Sequence, residues 1–199
     1  MKKIKVIVFI FLISTFFAYA QNIPDEVKKC VAFFFINHPT EGFIPYGTGF
    51  YVGIEFKEDS LSFGYLVTSK HVFQDEKKIF LDSLFVRINR KNGNSDSIIV
   101  KLFDKKNPIF YTHKDPTVDL AVIPFSPDQN KYDYLYIPSN IILTEDIYKS
   151  KNIREGDEVF FTGLFTPHFG KNRNLPIVRF GKVALISNEK VNWDNKLTD

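Results

Sequence analysis

Cysteine and histidine are scarce in this sequence of 199 residues, which contains one cysteine and four histidines. A single cysteine cannot form an intramolecular disulfide, so the fold must be stabilised by a hydrophobic core instead of covalent cross-links. The sequence also lacks an H-E-x-x-H motif and any Cys/His cluster at metal-ligand spacing. We therefore expect no metal site and no small toxin-like scaffold.

Glycine-rich phosphate loops are absent as well. The nearest candidate, GTGF at residues 47–50, is followed by strand-forming residues. A nucleotide fold needs a helix N-terminus after its glycine loop, because the free N–H groups of that helix bind the phosphate. The sequence therefore predicts no nucleotide-binding loop.

A leader is predicted at residues 1–20. Three lysines come first, an apolar run extends to Phe17, and Ala18-Tyr19-Ala20 ends the segment. A basic start, a short apolar run and a small-x-small end are typical of a cleaved secretory signal. An uncleaved membrane anchor is the alternative, but the run is short for a stable span. We expect export to the periplasm or the cell exterior.

Removal of this leader removes the net charge. The 26 lysines and arginines fall to 23 once the three leader lysines are lost, and they then match the 23 acidic residues. A neutral chain has no basic field to attract nucleic acid or an anionic membrane. We expect neither as a partner after signal cleavage, and the oligomeric state stays open.

Strand signals dominate the remainder, with little helical periodicity. Short apolar runs are separated by turn residues, among them Asn92-Gly93, a strong hairpin signal. The predicted strands are residues 30–36, 47–56, 63–68, 79–89, 97–103, 109–113, 118–125, 157–165 and 177–187. This pattern predicts an all-β fold: a first β-barrel in residues 21–125, a connection in 126–152, and the start of a second, incomplete barrel in 153–199.

His71 and Asp119 are the candidate catalytic residues. His71 follows the strand-forming residues of the stretch LVTSKHVF and precedes Val72 and Phe73, and a histidine held at the mouth of a β structure can act as a general base. Asp119 precedes four apolar residues, a costly place for a carboxylate unless it is paired. Either residue taken alone has a structural reading, as a hydrogen-bonded core histidine or a turn aspartate.

The remaining candidates have weaker support. His38, His113 and His168 lie in loops or at strand ends, where a solvated or loop-capping role is expected. Asp115 is explained as a turn former beside a proline. Cys30 lies in an apolar run, where a thiol is usually inert packing.

Five blocks in succession resemble the trypsin-like serine proteases of the chymotrypsin fold, especially the disulfide-free bacterial HtrA type. They are GTGFYV, YLVTSKHVF, DPTVDLAVI, REGDEVFFTGLF and VRFGKVALIS, and they occur in that family's order. The resemblance implies a double β-barrel, a polypeptide substrate and no metal or cofactor. It implies that His71 is the general base and that Asp119 orients it, as a buried carboxylate.

The resemblance also extends to glycines and fails at one point. Gly47 and Gly49 would allow a tight turn at the edge of the first barrel, while Gly163 and Gly181 match strand starts in the second. The family's G-x-S-G nucleophile turn is missing, since the serines after Asp119 (Ser126, Ser139, Ser150 and Ser187) do not lie between glycines.

Two readings of the function follow. The chain is expected to be the N-terminal part of an exported serine endopeptidase, truncated before its catalytic serine and therefore inactive by itself. The alternative is an exported, catalytically inactive β-barrel binding module, either a pseudoprotease or a degenerate fragment.

Overall fold

The computed structural model describes residues 22–56, 61–186, 191–193 and 196–198. The predicted leader, residues 1–20, and Ser187 lie outside the described residues. Strands account for 44% of the structure and helices for 14%, and the strands form antiparallel sheets. The prediction of an all-β fold class is therefore confirmed. No helix in the described part of the chain is long and apolar enough to cross a membrane.

One large sheet holds most of the strands. In spatial order it contains β5 (Ser95–Lys101), β4 (Ser83–Asn89), β1 (Val31–His38), β2 (Gly42–Phe56), β3 (Leu61–Thr68), β9 (Ala121–Pro124) and β8 (Tyr111–Thr112). These neighbours are all antiparallel, while the short β10 (Ile137–Pro138) pairs with β2 in parallel. Hydrogen bonding does not close this sheet into a ring of strands within the described residues, so the predicted closed barrel is not shown.

The hairpin of β6 (Phe103–Asp104) and β7 (Asn107–Pro108) lies in sequence between the two end strands of this sheet. The N–H of Ile109 also donates to the carbonyl of Leu102 at 2.9 Å. The hairpin therefore links the end of β5 to the start of β8 along the chain.

Strand β1 explains how the sheet is stabilised, because both of its faces are buried. Ala32 and Phe34 face the main core, whereas Val31, Phe33 and Phe35 form a second cluster with Leu164 and Phe169 on the opposite face. Successive side chains of a strand alternate between faces, so burial on both sides requires an apolar residue at every position. The run VAFFF meets that requirement.

The second cluster is covered by the loop at residues 164–176. This loop joins β11 (Glu158–Gly163) to β12 (Ile177–Lys182), which form a separate two-stranded antiparallel sheet. That sheet exposes large apolar side chains, among them Phe160, Phe161 and Phe180. A further short pair is formed by β13 (Val191–Trp193) and β14 (Lys196–Thr198).

The connecting segment, residues 126–152, contains short elements of regular structure. It contains β10, a 3₁₀ turn at Ser139–Ile141 and helix α2 (Glu145–Lys151). Helix α1 (Asp25–Lys29) lies elsewhere, near the start of the described chain. The hydroxyl of Thr144 caps α2 by accepting from the N–H of Ile147, and Asn152 ends it in the left-handed conformation. The sequence analysis predicted a connection here but none of these elements.

Candidate active site

His71 lies on a short 3₁₀ turn, Lys70–Phe73, that follows β3 directly. The two residues after it, Val72 and Phe73, are buried in the main core, and the Phe73 ring packs edge-on against Phe34 and Phe110. The His71 side chain faces outwards and is 70% exposed. Its backbone is therefore anchored by the core, while its ring faces solvent at the end of the strand.

Asp119 is brought to His71 by strand register. Thr68 of β3 pairs with Ala121 of β9. His71 lies three residues after Thr68 and Asp119 lies two residues before Ala121, so this pairing makes them neighbours. The loop before Asp119 is shaped by Asp115, whose carboxylate accepts from both the N–H and the hydroxyl of Thr117. This confirms the prediction that Asp115 is a turn former.

The two residues contact each other at two points. His71 Nδ1 lies 2.6 Å from Asp119 Oδ2, and the backbone N–H of His71 donates to Asp119 Oδ1 at 3.0 Å. With the carboxylate ionised, Nδ1 must carry the proton that joins the two side chains. The lone pair of Nε2 then points away from Asp119 and is available to accept a proton from another group.

The pKa of Asp119 reflects these contacts. Partial burial acts to raise the pKa of the carboxyl, but the hydrogen bonds from the His71 ring and backbone, with the nearby charges of His71 and Lys70, outweigh it. The net effect holds the pKa of Asp119 below its ordinary value. The carboxylate is therefore ionised at neutral pH, as an acceptor for Nδ1–H must be.

The prediction that the Asp119 carboxylate is buried was wrong. The side chain is 49% exposed, because β9 begins only at Ala121 and Asp119 still belongs to the loop. An ion pair exposed to this degree stabilises a fold only weakly.

The two glycines of GTGF also differ from expectation. They do not turn the chain at an edge; both lie inside β2 with ordinary backbone conformations. A Cβ on Gly47 would lie 2.8 Å from the Val72 methyl groups, and one on Gly49 would lie 2.6 Å from the Phe34 ring. Glycine is needed here because the 3₁₀ turn and the core side chains approach the strand closely.

The other histidines have local roles. His38 Nδ1 accepts from the N–H groups of Thr40 and Glu41, and His113 Nδ1 accepts from the N–H of Asp115, which confirms loop capping for both. His168 ends a 3₁₀ turn, Thr166–His168. In the part of the chain that the structure describes, no group of three or more His, Cys, Asp or Glu side chains is placed to hold a metal ion.

Cys30 fits an inert packing role. Burial raises the pKa of its thiol, and its Sγ is placed to donate to the carbonyl of Glu26 at 3.5 Å. A raised pKa lowers the fraction of thiolate, which is the reactive form.

No serine nucleophile is seen among the described residues. Ser150 donates its hydroxyl to the carbonyl of Ile147 within α2, and Ser126 lies beside Gly64. Over the described ranges, no serine hydroxyl is hydrogen-bonded to the His71 ring.

Lys70 is a part of the site that sequence reasoning missed. Its Nζ donates to the carbonyls of Pro116 at 2.7 Å and Val118 at 3.2 Å, both in the loop that carries Asp119. A lysine beside a histidine was visible in the sequence, but nothing there showed that backbone carbonyls of a distant loop would be its partners.

Fold and site together define a mainly antiparallel β protein with a histidine–aspartate pair at the end of a strand. Comparisons with protein-family models, curated proteins and solved structures found no match to this chain. The geometry of the site and the order of motifs in the sequence are therefore the evidence that bears on function.

Proposed function

We propose that this chain is the N-terminal part of an exported serine endopeptidase, in which His71 is the general base and Asp119 orients it. The two-point contact between these residues carries the proposal. The carboxylate fixes the side chain through Nδ1 and the backbone through N–H, so that Nε2 is free and faces solvent. This is the arrangement that a base needs to activate a hydroxyl nucleophile.

The reaction is peptide hydrolysis through an acyl-enzyme. A serine hydroxyl attacks the peptide carbonyl and transfers its proton to Nε2 of His71, which then donates that proton to the leaving amine. Water attacks the acyl-enzyme by the same route, with His71 again as the base. Asp119 stabilises the imidazolium in both steps, and the mechanism uses no metal or cofactor. The serine is the part that the described residues do not supply.

The proposal includes a chymotrypsin-like double barrel. Strands β1–β9 would form the first barrel, with the β6–β7 hairpin closing the gap between β5 and β8. The hydrogen bond between Ile109 and Leu102 supports this closure, since it extends the pairing on that path. The exposed apolar side chains of β11 and β12 support the assignment of those strands to a second barrel, because such side chains are normally covered.

The second candidate is an exported, catalytically inactive binding module on the same frame. It is favoured by one observation, that none of the described serines reaches His71. In this reading the His71–Asp119 pair serves only to join the β8–β9 loop to the 3₁₀ turn.

Labelling by a serine-directed phosphonate distinguishes the two functions. The test uses the longest protein that the gene encodes, since a G-x-S-G turn beyond codon 199 would supply the nucleophile. We expect labelling and peptide hydrolysis in the unsubstituted protein, and loss of both in His71→Ala. Asp119→Asn should lower kcat about ten-thousandfold, because the amide favours the wrong imidazole tautomer.

His113→Ala is the matched control, since His113 caps the loop next to Asp119 without contacting His71. It should keep most of the activity. A folded protein that is neither labelled nor active would overturn the endopeptidase proposal and favour the binding module.

A further inference from the structure

Lys70 and His71 are neighbours in sequence, and both contact the loop that follows β8. His71 contacts the Asp119 carboxylate at two points, while the Lys70 ammonium donates to the carbonyls of Pro116 and Val118. Four hydrogen bonds therefore join one dipeptide to three residues of this loop, Pro116, Val118 and Asp119.

The loop has few other constraints near Asp119. Its turn is stabilised internally by Asp115, and the pairing of β9 with β3 begins only at Ala121. Most of its residues are exposed, so water competes for its carbonyls. The half-buried Lys70 replaces that water with a cationic donor, and hydrogen bonds to charged groups are stronger than neutral ones.

The hydrogen bonds from Lys70 to the Asp119 loop matter because the His71–Asp119 contact is short but exposed. An exposed ion pair is weak by itself, since solvent competes with it and two side chains lose freedom to form it. Fixing the backbone on the N-terminal side of Asp119 lowers the entropy that the carboxylate must lose to reach Nδ1.

We propose that Lys70 is a positioning residue for the His–Asp pair, holding the Asp119 loop against the turn that carries His71 so that the carboxylate stays on Nδ1. The inference rests on the proposed function, since it assigns Lys70 to the general-base machinery. Lys70 acts through Asp119 and does not itself reach the reacting atoms.

The Nδ1 proton of His71 gives a direct readout. A proton held between imidazole and carboxylate resonates at low field in the NMR spectrum and exchanges slowly with water. The experiment records this resonance in the full chain labelled with ¹⁵N-histidine, and His71→Gln assigns it. Lys70→Met keeps the length of the side chain but removes the ammonium and both of its hydrogen bonds to the loop, so we expect proton exchange to become at least about tenfold faster.

Two further variants separate positioning from general stability. Lys70→Arg retains a cationic donor and should restore slow exchange. Lys101→Met, at an exposed lysine of β5, should leave the resonance unchanged. The thermal midpoint of each variant is measured alongside, and if Lys70→Met does not fold, Lys70→Gln takes its place.

The outcomes also distinguish this inference from the proposed function. A resonance that disappears in Asp119→Asn but exchanges at the same rate in Lys70→Met would overturn the role of Lys70 and leave the His–Asp pair intact. A resonance that persists in Asp119→Asn would overturn the pair itself, and both proposals would fail with it.

Discussion

Asp96 and Asp119 show how the number of hydrogen-bond donors affects how far the pKa of a carboxyl group is lowered. Asp96 on β5 accepts from Arg90, Lys131 and the Tyr132 hydroxyl, and its side chain is 20% exposed. The bond from Arg90 contributes most to holding the pKa of Asp96 far below its ordinary value, and the bonds from Lys131 and Tyr132 add to it. Among the described residues only His71 donates hydrogen bonds to the Asp119 side chain, which is 49% exposed.

Asp96→Asn should therefore destabilise the fold in a pH-dependent way. A lowered native pKa means that Asp96 stabilises the fold fully above the pKa of the unfolded chain, which is about 4. The stabilisation is lost as the pH falls through the native pKa. We expect a loss of about 1–3 kcal/mol in the free energy of unfolding near neutral pH, and a smaller difference from the unsubstituted chain as the pH approaches 3.

Urea unfolding at several pH values measures this difference. Asp104→Asn, at an exposed aspartate of β6, is the control and should change stability little at any pH. A difference between Asp96→Asn and the unsubstituted chain that stayed constant from pH 7 to pH 3 would contradict the assignment.

At the scale of elements, the apolar runs predicted most strands, because a strand with both faces buried needs apolar residues throughout. Helix α2 and strand β10 were not foreseen, since they are short and depend on tertiary contacts and one capping threonine. The pairing of His71 with Asp119 was predictable as a hypothesis from the order of motifs. The exposure of Asp119 was not, because the point where β9 begins is set by its pairing with β3.

The close contacts of the glycines in β2 were also not predictable from the sequence, because they depend on tertiary packing. Gly49 allows this explanation to be tested. A Cβ at Gly49 would lie 2.6 Å from the Phe34 ring and 2.9 Å from the Val67 carbonyl oxygen. The ring is buried and the carbonyl belongs to the paired strand, so neither can move cheaply. Gly49→Ala should lower the free energy of unfolding by about 1–3 kcal/mol, measured by urea denaturation.

Gly181→Ala is the matched control, since its Cβ would meet only a Val159 methyl at 3.8 Å, an ordinary contact. It should be close to neutral. Equal losses in the two variants would show that backbone freedom, and not close approach, explains the glycine at position 49.

At the scale of the whole molecule, a polar network that no sequence pattern revealed joins β4 to the distant loop at residues 164–176. Arg87 on β4 is only 7% exposed, yet no carboxylate is hydrogen-bonded to its guanidinium among the described residues. It donates instead to the carbonyls of Gly170 and Lys171 and to the Ser95 hydroxyl. Asn89 and Asn174 add reciprocal bonds between the same strand and loop. Carbonyl partners in a distant loop cannot be read from the composition around an arginine.

This network makes the loop at residues 164–176 depend on Arg87. The guanidinium also lies over the Phe35 and Phe169 rings, at 5.9 and 5.5 Å from their centroids. Lysine keeps the charge but cannot form the same set of planar, divergent bonds. In Arg87→Lys we therefore expect amide hydrogen exchange in residues 164–176 to rise about tenfold or more, while exchange in β2 and β3 changes little.

Arg179→Lys, on the exposed β12 strand, is the control and should leave this loop protected. Unchanged protection of residues 164–176 in Arg87→Lys would show that the apolar contacts of Leu164 and Phe169 suffice to hold the loop on the sheet.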